Sequence, residues 1–249
     1  MSATPFLLST PLPPVVVSPA APPAGSPELL LMLLADARLP VAGHTQSAGL
    51  EPAVRAGLSA LDVPDYLTAR LRTVVKVEAA TAVVALHGLR HGSATGAGAG
   101  LAEVESAWAA RTPSQALRRT SRKQARALLR LVRHLWPDAV CFDTSGPPGA
   151  SRAVVLAAAA NACGLSPVSL VRLIGYDDLQ TVAAAALKLV PLDPLVATSW
   201  VHHALADVEE LVGELSGLTR PQDIPVAGAP QIEVWAEAHA VSSRRLFSA

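Results

Sequence analysis

The residues with most scope for chemistry lie in one short turn, between an apolar helical run and a second helix. This stretch holds seven residues of special backbone geometry or polarity: Asp36, Pro40, Gly43, His44, Ser47, Gly49 and Glu51. Glycine and proline set backbone angles that a plain connection between helices does not need. Histidine, serine and glutamate add groups that can hydrogen-bond or exchange a proton.

Two interpretations of this turn stay open. In the first, the turn is structural: Ser47 caps the second helix, Gly43 adopts a backbone angle that other residues avoid, and His44 closes the turn by hydrogen bonding. In the second, the His44 turn is the pocket of an α-helical domain that binds a small molecule or catalyses a reaction. Spacing alone favours the structural interpretation.

Known catalytic and metal-binding patterns are missing from the sequence. Gln46-Ser47-Ala48-Gly49 is not a nucleophile elbow, because threonine precedes it and no strand leads into it. The sequence has no phosphate-binding loop and no HExxH. His202 and His203 are adjacent, so they point to different faces of a helix and cannot chelate a metal together. These absences agree with a protein that is not an enzyme, which is what the resemblance given below implies.

Composition favours an all-α, single-domain protein. Hydrophobic residues make up 51% of the 249 residues, with many alanines and leucines, and aromatic residues only 4%. The Pro- and Ala-rich residues 1–26 are expected to be a disordered extension, and they lack the basic start of a secretory signal. Cys141 and Cys163 are isolated, as in a reducing compartment. We expect a cytoplasmic protein that does not span a membrane.

Helix signals place the folded domain at residues 27–249. Ser26 and Pro27 start the first helix, and Gly and Pro separate the later ones. The predicted helices are 27–38, 46–57, 64–90 with Asp62 as cap, 101–111, one opening at Pro113, 152–163, 167–189, 194–215 and 231–243. The Gly-rich residues 91–100 are expected to be a flexible linker.

The helix that follows Pro113 has a basic side and an apolar side. Six cations recur at helical spacing on the basic side: Arg119, Arg122, Lys123, Arg126, Arg130 and Arg133. This pattern fits a solvated face, a docking face for an acidic protein, or a nucleic-acid site. A net charge of zero and the lack of stacking aromatics along the helix argue against nucleic acid.

Four segments resemble the urease accessory protein UreF family. The first is Ala35-Asp36 through Leu39-Pro40, Gly43-His44 and Ser47-Ala48-Gly49-Leu50-Glu51. The others are Arg119-Thr120-Ser121 with Leu128-Leu129-Arg130, then Lys188-Leu189-Val190-Pro191-Leu192, and the tail from His239 to Arg244-Arg245-Leu246-Phe247-Ser248. Three positions depart from the family pattern: Ala125 replaces Gly, Asp193-Pro194 replaces Gly-Gln, and Ala238 replaces Arg.

The resemblance implies a bundle of about eight to ten helices that assists nickel insertion into urease. It implies complexes with the UreD/UreH accessory protein, the GTPase UreG and the urease apoprotein, and a homodimer. Nickel and GTP would sit on the partners, with no cofactor bound directly. The predicted partner contacts are His44, Ser47, Glu51, Arg119, Ser121, Arg244, Arg245, Leu246 and Phe247. Pro40, Gly43 and Gly49 are predicted to shape the turn.

Overall fold

The computed structural model describes residues 25–39, 45–91, 97–139, 149–243 and 245–247. Within these ranges the regular elements are helices, and there is no strand. The α-helices are α1 Pro27–Leu34, α2 Leu50–Arg55, α3 Val63–Arg70, α4 Lys76–His91, α5 Ala97–Arg111, α6 Gln115–Leu135, α7 Arg152–Ala162, α8 Pro167–Leu189, α9 Pro194–Leu215 and α10 Pro230–Val241. The all-α, single-domain prediction is confirmed. The expected extension at residues 1–26 lies almost wholly outside the described residues.

Helix α1 starts as predicted and ends four residues earlier than predicted. The Ser26 hydroxyl accepts a hydrogen bond from the Leu29 amide, and Pro27 is the first helical residue. The helix stops at Leu34, because the Asp36 carboxylate accepts the Arg38 amide at 2.9 Å. A side chain that hydrogen-bonds so near its own backbone offers an alternative to the helical ladder. The expected continuation to Arg38 was therefore wrong.

The long helix predicted for residues 64–90 contains a π turn. Segment Leu71–Val75 joins α3 to α4 with the wider π pattern, which often marks functional sites. Asp62 is the N-cap residue of α3, as predicted, but its side chain makes no capping hydrogen bond to that helix. Its carboxylate instead accepts both the amide and the hydroxyl of Ser59, and so closes the short 3-10 turn Ala60–Asp62.

The Gly-rich segment expected as a linker is partly helical. Helix α5 begins at Ala97, and residues 92–96 lie outside the described residues. Leu101, Val104 and Trp108 are each at most 4% exposed and anchor α5 in the core. We attribute the longer helix to this packing, which extends a helix into residues of low intrinsic propensity.

The core is built on small residues. All eight residues from Ala153 to Ala160 of α7 are buried, with α4 and α6 packed against that helix. Helices α8 and α9 also pack closely, since a Cβ at Gly175 would lie 2.9 Å from a Val208 methyl group. Ala125, where the family pattern has Gly, is 2% exposed on α6. Within the described ranges, no helix is long and apolar enough to cross a membrane.

Candidate functional site

The turn before α2 has a backbone that requires glycine at position 49. Ala48 and Gly49 both have positive φ, at 51° and 81°. The Tyr66 hydroxyl donates to the Ala48 carbonyl at 2.7 Å, and a Cβ at Gly49 would lie only 2.8 Å from that hydroxyl oxygen. Burial raises the pKa of Tyr66 to about 12, so the hydroxyl stays protonated as a donor. Pro40, Gly43 and His44 lie outside the described residues.

Glu51 fastens the C-terminal tail to the start of α2. Its carboxylate is 1% exposed and accepts the backbone amides of Leu246 at 2.7 Å and Phe247 at 2.9 Å. Arg55 pairs with the same carboxylate at 2.6 Å, and His239 Nε2 lies 3.8 Å away. A buried carboxylate needs such donors, because its charge is otherwise costly to remove from water. This group is termed the tail clamp below.

The tail itself has one buried and two exposed side chains. Phe247 is 4% exposed, with Lys188 Nζ 5.3 Å from its ring centre and its carbonyl 3.3 Å from His239 Nε2. Arg245 and Leu246 are exposed, and Arg244 lies outside the described residues. The tail therefore docks through its backbone and its phenylalanine, while Arg245 and Leu246 face outward.

Sequence-predicted residues from opposite ends of the chain thus meet at one site. Ser47, which is fully buried, accepts the Glu51 amide at 3.3 Å. Ser47, Glu51 and Phe247 have partners within the chain, and their predicted contact with another protein stays a prediction. The same holds for the exposed Arg245 and Leu246.

Arg119 and Ser121 lie on α6, beside the site. The Ser121 hydroxyl accepts the Arg152 amide at 3.0 Å and so joins α6 to the start of α7. Arg119 is half exposed, 4.0 Å from Glu237 of α10. The Ala116 amide and the Ser114 hydroxyl donate to Glu237 and hold the pKa of its carboxyl below the usual range. The predicted contacts of Arg119 and Ser121 with another protein also stay a prediction.

A cavity of about 490 Å³ lies between the α2 turn, α6, α8 and α10. Two buried arginines form ion pairs at its lining, Arg70 with Asp178 at 2.5 Å and Arg152 with both Glu78 and Asp177. Burial by itself lowers the pKa of Arg70, but the Asp178 carboxylate more than offsets it, so the pKa is raised.

Arg152 behaves in the same way. Burial lowers its pKa, and the carboxylates of Glu78 and Asp177 more than compensate. Both guanidinium groups therefore stay charged. Sequence reasoning missed these pairs, although single charges inside otherwise apolar helices are a usable signal, because a buried charge needs a partner.

The cavity lining contains charged side chains that can form hydrogen bonds. The lining carboxylates Glu78, Asp177 and Asp178 already accept from arginine. Among the described residues, no group of three or more His, Cys, Asp or Glu side chains is placed to hold a metal ion. The Cys163 thiol is buried, which raises its pKa to about 11 and disfavours the reactive thiolate.

The fold and the site define a class: an all-α protein with a clamped C-terminal tail beside an ion-paired cavity. Comparison with known proteins makes this specific. The sequence profile of the UreF family matches residues 59–205. The urease accessory protein UreF of Mycolicibacterium vanbaalenii is 34% identical over 88% of this chain and 97% of its own length. The UreF proteins of Mycobacterium sp. (strain JLS) and Mycobacterium marinum are 34% and 32% identical over the same shares.

The chain therefore belongs to the UreF family of urease accessory proteins. The family predicted from the four sequence segments is confirmed.

Proposed function

We propose that this protein is a non-enzymatic scaffold for nickel insertion into urease. In this role it binds the UreD/UreH accessory protein, recruits the GTPase UreG and presents both to the urease apoprotein. It works in the cytoplasm as a homodimer, and nickel and GTP are carried by its partners. Differential contacts with the nucleotide states of the GTPase would couple hydrolysis to assembly.

The tail clamp is the observation that supports this proposal most. The clamp holds the backbone of Leu246 and Phe247 while the Leu246 side chain stays 64% exposed beside Arg245. Because the backbone of this segment is already fixed, binding a partner there would cost only the side-chain freedom of Leu246 and Arg245. Arginine is also enriched at interface hot spots. The tail is thus suited to a partner contact.

A second candidate is the small-molecule site predicted around the His44 turn. The cavity has a volume typical of ligand pockets, and Gln46, Ala48 and Gly49 at the end of that turn line it. Saturable binding of a metabolite by the isolated chain, with no partner complex, would favour this candidate. The lining carboxylates are paired with arginines and so are not free to bind or activate a small molecule, which favours the scaffold.

Co-expression with the cognate UreD/UreH and UreG tests the proposal. We expect the complex mass, measured by light scattering after size exclusion, to equal that of a ternary assembly. A chain truncated before Ser243 should form less of it.

A sharper comparison uses two surface leucines. Leu246→Ser removes an exposed side chain but keeps the amide that Glu51 binds, and Leu61→Ser makes the same change at a residue that is 90% exposed and far from the tail in sequence. We expect only Leu246→Ser to weaken the complex. A folded chain that forms no complex with soluble partners would refute the scaffold.

A further inference from the structure

The outward face of α6 carries positive charge with little compensation. The helix contains seven Lys and Arg residues and no Asp or Glu, while the whole chain is neutral, with 20 of each sign. Lys123, Arg126 and Arg130 are exposed and follow one another at spacings of three and four residues. None of the three makes an ion pair or a hydrogen bond within the described residues. Like charges at these spacings repel, and a bound acidic group would relieve that repulsion.

This basic face runs into the cavity. Arg119 and Lys123 of α6 line the cavity mouth, and so does Arg245 of the tail. The acidic groups deeper in the lining are paired with Arg70 and Arg152. Among the described residues, Lys123 and Arg245 line the cavity without an ion pair, whereas Arg119 lies 4.0 Å from Glu237 and the Glu233 carboxylate accepts the Ala229 amide.

A buried histidine nitrogen lacks a partner in the same cavity. His239 is 5% exposed and lines the cavity, and its Nδ1 has no hydrogen-bond partner among the described residues. Its Nε2 faces the Phe247 carbonyl, which can only accept, so Nε2 carries the hydrogen. In the neutral ring Nδ1 is then an acceptor. A donor is needed there, and an unmet buried acceptor is costly.

We infer that the α6 basic face and the cavity mouth form one docking surface for an acidic segment of a protein partner. Carboxylates of the segment pair with Lys123, Arg126 and Arg130. The α6 face from Lys123 to Arg133 is about 15 Å long, at 1.5 Å per residue. An extended segment of about five residues spans it. The inference rests on the proposed function only in placing that partner in the urease maturation assembly.

The lack of an exposed aromatic side chain beside α6, within the described residues, favours a peptide over a nucleic acid at this surface. Trp108, which packs beside the helix, is 3% exposed with the Arg122 guanidinium 5.4 Å from its ring centre, and Trp136 at the end of the helix is 6% exposed, so neither can stack on a base.

Fluorescence anisotropy with a labelled hexaglutamate peptide tests the inference on the full chain. We expect hexaglutamate to bind with an affinity that falls as salt is raised, and hexaglutamine to show no binding. The triple variant Lys123→Glu, Arg126→Glu, Arg130→Glu should bind hexaglutamate at least tenfold more weakly. A matched triple, Arg38→Glu, Arg72→Glu, Arg220→Glu, changes the net charge equally at residues that are 65% to 87% exposed, and it should bind almost normally.

Four results would overturn the inference. They are no hexaglutamate binding in 20 mM salt, equal losses in the two triple variants, tighter binding of a 12-nucleotide oligothymidylate than of hexaglutamate, and loss of a dimer of the isolated chain in the α6 triple. The ternary complex is measured separately. If the α6 triple variant forms the ternary complex as well as wild type does, the inference is refuted and the proposed function is not. If hexaglutamate binds in an α6-dependent way but wild type forms no ternary complex, the proposed function is refuted and the inference is not.

Discussion

Replacing Glu51 with glutamine is the change that most directly probes how the tail is held. The variant keeps the side-chain volume and removes the charge. Its amide has one oxygen to accept a hydrogen bond, while the wild-type carboxylate accepts two backbone amides, from Leu246 and Phe247. The NH₂ group would then face an N–H donor, which leaves one buried donor unsatisfied.

The expected loss follows from these two contacts. A hydrogen bond to a charged group contributes about 1.5–3 kcal/mol, and Glu51→Gln loses one such bond and weakens the other. The ion pair with Arg55 adds less than about 1 kcal/mol, because the Arg55 side chain is 45% exposed. We therefore expect the free energy of tail opening to fall by about 2–3 kcal/mol. Global stability should fall by a similar amount or less, since a terminal segment can detach while the bundle stays folded.

Hydrogen exchange at the amides of Leu246 and Phe247 measures this opening. A fall of 2–3 kcal/mol corresponds to exchange that is about 30- to 150-fold faster, with unchanged protection in α7. Glu103→Gln is the matched control, because Glu103 is exposed on α5 and, within the described residues, no hydrogen bond or ion pair joins it to the tail. Equal tail protection in Glu51→Gln and wild type would show that the clamp does not hold the tail.

Four further substitutions test the structure around the clamp and the cavity. Gly57 has φ 105° and open space around it, so Gly57→Ala should lower the free energy of unfolding by about 1–2 kcal/mol through backbone strain alone. Gly49→Ala should lower it by at least about 1 kcal/mol more, measured in urea melts, because its Cβ also meets the neighbouring tyrosine hydroxyl. Asp178→Asn should destabilise the fold by about 3–5 kcal/mol, since it leaves the buried Arg70 cation without its counter-charge, and an unchanged thermal midpoint would contradict this. The pKa of Glu237 is lowered in the fold, so its carboxylate stabilises the protein above the unfolded pKa and that stability is lost as pH falls through the folded pKa. Glu237→Gln should therefore reduce the fall in the free energy of unfolding as the pH is lowered. A pH dependence identical to that of wild type would contradict this role of the Glu237 carboxylate.

The sequence was a good guide where local signals decide the structure. The starts of α8 and α9 follow from Ser166-Pro167 and Asp193-Pro194, where a capping side chain precedes a proline at the first helical position. Local signals gave the wrong end for α1, because the Asp36 side chain bonds to the nearby backbone and the helix ends before it.

Contacts between distant segments were beyond sequence reasoning. Both the first motif and the tail were identified, but the bond from Glu51 to the Phe247 amide joins residues 196 positions apart. Its existence depends on how α2 and α10 pack, which no periodicity encodes. The buried Arg70–Asp178 pair was missed for the same reason, since its members lie 108 residues apart.

The nickel content of urease tests the central claim most directly. The measurement compares urease purified from cells that lack their own UreF and carry either this chain or an empty vector, with equal levels of the other accessory proteins. Our account predicts nickel-loaded, active urease with this chain and largely nickel-free enzyme without it. Equally nickel-free urease in both, with this chain folded and abundant, would contradict the account.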